Sequence, residues 1–280
     1  MRIIDQEIVS TRRSDTFRIY HISDPHIGNI AFDRSLWERT IKHISSDPYG
    51  LAVCNGDLLD LILGKDKRVD PDDVDPEFLI HGTGIVAAQE EYAAESLEPL
   101  IANNQLICIH AGNHDQTWKA EHYKNVIKEF CGNTGIPYAS YTAFVRLKFV
   151  WRDSHTQHRS RIIIERSSHG TGGARTKGAM LNHLHNLNKS FDADAFVQGH
   201  AHRRVCDIAP RLSVPPRGEP QIIEKMIAYA STGSFFQTYR LGGESSYGER
   251  RDYPPGDMGG VVLEIAPWGE GIRNITPLIL

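Results

Sequence analysis

What the chain lacks narrows its function first. Its 280 residues contain no apolar run near the roughly 18 residues of a membrane helix, and its start, MRIIDQEIVSTRRSD, is too charged for the core of a secretory leader. The reading is a cytoplasmic protein with no membrane partner. Cysteine is scarce: Cys54, Cys108, Cys131 and Cys206 form no CxxC pair and read as reduced thiols, the first two in apolar runs. An excess of positive charge is also missing. The formal net charge of -4 argues against a surface built throughout to grip nucleic acid, and leaves room only for a local basic patch. Neither repeats nor low-complexity tracts occur. With 40% hydrophobic residues the chain can bury a full core, and 1–280 is read as a single domain.

Short apolar runs at 17–23, 51–55, 106–111, 161–165, 194–198 and 226–231, bounded by Gly, Asp or Asn, have the length and β-branched content of buried strands. Helical patterns separate the first three. Residues 33–46 place Leu36, Trp37, Ile41 and Ile44 at helical spacing behind Asp33 as an N-cap, and 85–100 is rich in Ala, Glu and Leu. This alternation predicts an α/β fold with a parallel core sheet. AFVRLKFVWRD and RSRIIIERS read as a hairpin, with helices near 119–131 and at 178–190. The breaker-rich stretch 64–84 reads as a surface insertion, and 232–259 as a second irregular segment; both are expected to shape a cleft.

Each strong metal-ligand type falls just after a predicted strand. The loops are Asp24-Pro25-His26, Gly56-Asp57-Leu58-Leu59-Asp60, Gly112-Asn113-His114-Asp115, His169-Gly170 and Gly199-His200-Ala201-His202. In open α/β sheets ligands bind at the carboxyl ends of strands, so these five loops can converge on one site. Two carboxylates (Asp24, Asp57), the Asn113 amide and four imidazoles (His26, His169, His200, His202) suit Mn, Fe or Zn rather than Ca. That set is too large for one tetrahedral ion. Asp57 sits centrally and can bridge two metals, the arrangement for in-line displacement at phosphorus.

The blocks DxH, GDxxD, GNHD, an isolated His and GHxH, in this order over residues 24–202, resemble the calcineurin-like metallophosphoesterase superfamily. HGTGGARTKG and the segment starting TGSFFQTYRLGG further resemble uncharacterised phosphoesterases of phage and bacterial genomes. The resemblance implies a four-layer αββα sandwich with a dinuclear metal site at the strand C-terminal loops. One metal would be held by Asp24, His26, Asp57 and His202, the other by Asp57, Asn113, His169 and His200. A hydroxide bridging two divalent ions, with Mn the first choice, would attack the phosphorus, and His114 would protonate the leaving alkoxide. The expected reaction is hydrolysis of a phosphodiester, in a nucleotide or a nucleic-acid strand cut by a nuclease; the alternatives are a phosphomonoesterase and a non-catalytic scaffold.

Asp115 is taken as a catalytic partner that fixes the His114 ring, with capping of the following helix as the competing role; Asp60 is a second carboxylate able to orient an imidazole, with capping of the following segment as its competing role. Within HGTGGARTKG, Arg175 occupies the place of the third glycine of GxGxxG and no GK[ST] follows, so the stretch is no nucleotide cradle. Arg175 and Lys177 precede a predicted helix and are candidates for a substrate phosphate beyond the scissile one. The cations Arg146, Lys148, Arg152, Arg159, Arg161 and Arg166 crowd the hairpin, where a solvated face balanced by acids is the simpler reading. Phe235, Phe236, Tyr239 and Tyr247 either stack a base or pack in the core.

Overall fold

The computed structural model describes residues 1–63, 68–79, 84–152, 158–171, 176–215, 219–240, 245–268 and 275–280. The chain opens with β1 (Arg2–Ser10), followed by β2 (Phe17–Ile22), α1 (Arg34–Ser45), β3 (Gly50–Cys54), the single turn α2 (Pro76–Leu79), α3 (Ile85–Ala102) and β4 (Leu106–His110). Then come α4 (Asn113–His122), α5 (Val126–Thr134), β5 (Tyr138–Ser140) and the hairpin strands β6 (Thr142–Arg152) and β7 (His158–Ser168). The rest is α6 (Lys177–Leu187), β8 (Ala195–Gln198), β9 (Val205–Ser213), β10 (Ile223–Ser231), the turn α7 (Tyr247–Arg250), β11 (Val261–Ile265) and β12 (Ile275–Ile279).

The expected α/β alternation holds. Asp33 caps α1, its side chain accepting from Leu36 N at 2.9 Å, and the helix buries Trp37, Ile41 and Ile44. β2, β3, β4 and β5 pair in parallel, and antiparallel β11 and β12 extend that sheet to the order β12-β11-β2-β3-β4-β5. The second sheet runs β1-β6-β7-β8-β10-β9. Between the sheets lies an apolar layer with Ile19, Val53 and Cys108 from one side and Val145, Leu147, Phe149 and Val197 from the other. The helices α1, α3 and α5 cover the outer face of the first sheet through Trp37, Leu97 and Phe130; α6 covers part of the other through Leu184. These four layers are the αββα sandwich. Among the described residues, no helix is long and apolar enough to cross a membrane.

β1 is a strand the patterning does not announce. It pairs in parallel with β6, burying Ile4 and Ile8 while Asp5 and Glu7 face solvent. Those two acids bind hairpin cations, Arg146 to Asp5 and Lys148 to Glu7, at 2.8 and 2.9 Å. For Arg146 and Lys148 this is the balanced solvated face, whereas Arg166 is buried over the Phe191 ring. The helix expected near 119–131 is two: α4 begins at Asn113, and Tyr123 in left-handed backbone (φ 56°) ends it before α5.

Candidate metal centre

All five loops meet at the carboxyl ends of the two sheets. The loops after β2 and β3 are zipped together, Asp24 N to Gly56 O at 3.1 Å and His26 N to Asp57 O at 3.2 Å. Among the nine described non-glycine residues with positive φ, five are Asp24, His26, Asp57, His200 and His202. Left-handed backbone is costly for such residues and persists where the surroundings over-determine it, as at sites that must aim side chains inward.

Two pockets result. In one, Asp24 Oδ1 is 3.8 Å from His26 Nε2 and 3.4 Å from His202 Nε2; in the other, Asp57 Oδ2 is 3.3 Å from His169 Nε2. The groups Asp24, His26, His202 and Asp57, His169, His200 each converge their donor atoms within 4.8 Å of one another, and a third group joins His26, Asp57 and His114. The seven residues expected as metal ligands therefore lie together, with Asp57 between the pockets. Gly112 makes this approach possible: a Cβ there would stand 1.8 Å from Asp57 Oδ1.

Several features fit divalent cations in these pockets. Asp24 Oδ1 is buried with no hydrogen-bond partner. Asn113 Oδ1 lies 3.0 Å from His169 Nε2, and the same position is 2.8 Å from His200 Nδ1 and 3.1 Å from Asp57 Oδ2. Turning the amide over would place N–H groups there, whereas a cation among the four atoms satisfies every lone pair and keeps the carbonyl inward. Burial and the neighbouring His114 lower His26 to about 3, leaving it a neutral donor. Burial opposes charge on His169, yet Asp57 and Asp24 raise it to about 9. Those carboxylates call for positive charge, and a cation supplies it without the proton.

His114 stands beside both pockets on the first turn of α4. Its backbone N donates to Asp57 Oδ1 at 3.0 Å, its Nδ1 meets Asp60 Oδ1 at 2.9 Å, and its Nε2 lies 3.9 Å from Asp57 Oδ2. Burial works against the imidazolium, but Asp57 and Asp60 outweigh it and raise its pKa. Asp60 is thus the carboxylate that orients this ring, and Asn29 Nδ2 holds its other oxygen at 2.7 Å. Asp115 is not. Its carboxylate turns back to accept from Gly112 N and caps α4, because a residue three beyond the cap reaches the free N–H groups of its own helix first. Burial and nearby Asp57 raise Asp115 to about 7.

The pockets open into a cleft of about 640 Å³. Arg68, Asp70 and Val74 from the insertion line it on one side, and Phe236, Thr238 and Tyr253 from the segment after β10 on another. Arg250 ties the two segments together, 2.9 Å from Asp70. Arg68 Nη1 is 3.3 Å from Asn113 Nδ2, with no hydrogen bond between them while the carbonyl faces inward, and its Nη2 donates to Thr117 Oγ1 at 3.2 Å. No local motif distinguishes Arg68 in the sequence. Arg175 lies outside the described residues, and the half-exposed Lys177 pairs through Nζ with Asp257 at 2.9 Å. Phe235 is buried against Trp37, Phe236 faces His26 edge-on at 5.2 Å, Tyr239 donates to Tyr253 O, and the Tyr247 side chain is outside the described set.

No curated protein matches the chain. Among solved structures it is similar to Pseudomonas putida nuclease MPE, at 12% identity over 93% of this chain and 87% of that one, with a TM-score of 0.35. It is also similar to a predicted phosphoesterase from Streptococcus pneumoniae TIGR4 (13% identity, 90% and 84% covered, TM-score 0.34). A third is Vacuolar Protein Sorting 29 from Cryptosporidium parvum (12%, 89% and 86%, TM-score 0.37). Residues 17–204, the span that carries all five loops from Asp24 to His202, match the calcineurin-like phosphoesterase family, and the chain belongs to that family.

Proposed function

We propose that this protein hydrolyses phosphodiesters, nucleotides or nucleic-acid strands among them, with two divalent cations, Mn first. Asp24, His26, Asp57 and His202 would hold one cation, and Asp57, Asn113, His169 and His200 the other. Once bound, such a pair supplies an activated water and offsets charge on the phosphoryl oxygens. Oxygen and imidazole donors without thiolate favour Mn, Fe or Zn. We assign the reaction to the cytoplasm, where four free cysteines stay reduced.

The observation that carries the reading is the His114–Asp60 pair. Asp60 accepts at Nδ1, so the ring's Nε2 proton is the one available to the cleft, where a leaving alkoxide needs it. Mono- and diesters alike expel an alkoxide or aryloxide, and a positioned acid is worth most for the poorer leaving group; what favours the diester is the room around the phosphate. The cleft is also larger than a phosphate requires. Ile62, Val74, Phe236 and Tyr253 provide apolar surface for the organic part of the ester, and Arg68, beside the Asn113 amide, is placed to meet a phosphoryl oxygen.

The test is a comparison of bis-aryl and mono-aryl phosphate with the Mn-loaded protein, followed by single-stranded and duplex DNA. Diester turnover at least comparable to monoester turnover, with cleavage of one of the nucleic acids, is expected. Far faster monoester hydrolysis with no nucleic acid cut would replace the diesterase with a phosphomonoesterase.

A further inference from the structure

The seat of His169 lies between the two sheets and is built by residues that supply no donor to either pocket. Asn55 is fully buried immediately after β3. Its backbone carbonyl accepts from His169 Nδ1 at 2.8 Å, and its side-chain Nδ2 donates to Ser167 Oγ at 3.0 Å and Ser168 O at 3.1 Å. Ser168 O can only accept, so Nδ2 must face it and Oδ1 is left for His21 Nδ1, 3.0 Å away. Behind His21, Nε2 is 3.3 Å from Glu165 Oε2, and both residues are fully buried.

Asn55 thus bonds across the gap between sheets at the level of the site. It belongs to the sheet that supplies Asp57 and Asn113, and Ser167, Ser168 and His169 to the one that supplies His169 and His200. The second pocket closes only if those two strand ends are held in register. Gly56, at φ +98°, completes the seat, since a Cβ there would stand 2.7 Å from His169 Nδ1.

We propose that Asn55, backed by His21 and Glu165, is a positioning residue for the second metal pocket: it locks the ends of β3 and β7 together and aims His169 Nε2 at Asp57 and Asn113. The inference rests on the dinuclear reading above. Asn55→Ala keeps the backbone carbonyl that meets His169 but removes the side-chain bonds that hold it against β7, and losing such support around a metal ligand costs about 10- to 100-fold in metal affinity. In calorimetric titration of metal-free protein with Mn(II), Asn55→Ala should weaken one of two binding events by that factor and leave the other within about threefold.

His169→Ala and His202→Ala identify which event belongs to which pocket. The electron paramagnetic resonance spectrum at two equivalents of Mn should change from coupled to isolated ions. A merely structural role would lower the melting temperature of the metal-free protein without separating the two constants. Asn55→Asp, which keeps the shape and replaces the donor to Ser168 O by an acceptor, gives the same expectation if Asn55→Ala does not fold. Equal weakening of both events, or neither, in a folded variant overturns the proposal. Wild-type protein that binds fewer than two Mn overturns the dinuclear reading and the Asn55 role with it.

Discussion

Gly112→Ala tests the idea that both pockets share one carboxylate. The new Cβ would stand 1.8 Å from Asp57 Oδ1, 2.4 Å from Asp57 N and 2.5 Å from its Cγ. Real Cβ contacts do not fall below 3.0 Å, so Asp57 or the start of α4 must yield by about 1.2 Å. Neither is free to do so. Asp57 O accepts from His26 N at 3.2 Å, and Oδ1 accepts from His114 N at 3.0 Å. Overpacking of this kind costs about 1–3 kcal/mol of stability, and displacing a catalytic group by about 1 Å costs on the order of 100-fold in rate. Asp57 belongs to both donor sets, so both Mn constants should weaken together, unlike in Asn55→Ala. Calorimetry with Mn(II), thermal unfolding of the metal-free protein and kcat/KM on the bis-aryl ester would measure this. A folded Gly112→Ala protein that binds two Mn ions with wild-type affinity would refute the shared-carboxylate geometry.

Three further outcomes are expected. Asp60→Asn removes a group that raises His114; because a raised imidazole stays protonated until pH passes its pKa, the variant's alkaline limb of kcat/KM should move to lower pH. Its kcat should fall by roughly 100-fold on an alkyl diester and far less on an activated aryl ester. Arg68→Met should weaken inhibition by inorganic phosphate about 10- to 100-fold while Mn binding is unchanged; equal inhibition of both proteins would remove Arg68 from the substrate contacts. Away from the site, burial opposes the charge of Asp47, but Arg18, Tyr49 N–H and the Tyr20 hydroxyl lower its pKa below 3.8. Its stabilisation is therefore present above the unfolded value and lost as pH falls through the lower folded one. Asp47→Asn should cost about 1 kcal/mol at neutral pH, since the Arg18 side chain is 31% exposed, and the difference from wild type should vanish in acid melts.

Strands with one strongly apolar run were legible, and so were the loops after them, because the punctuating Gly and the donor side chains are adjacent in sequence. Asp33 as a cap was equally local. β1 and β9 were not. β1 turns Asp5 and Glu7 to solvent, and β9 is half-buried and carries Asp207, Pro210 and Arg211, so neither shows a clean period. The patterning likewise does not announce the C-terminal strands β11 and β12, although β11 is almost wholly buried. At the site, adjacency in sequence points to Asp115 as the partner of His114. Adjacent residues on a helix point in different directions, and the carboxylate of Asp115 found the cap instead.

The sequence by itself determined which donors exist, their order along the chain and their places at strand ends, since each of these is a local property of residue type and period. Only the tertiary structure decided which groups face one another. His114 meets a carboxylate 54 residues away, Asn55 meets Ser167 at a separation of 112, and Lys177 pairs with Asp257 across the chain. Such pairings depend on how two sheets stack and where their loops are pinned, and no stretch of chain shorter than the whole sandwich contains that information.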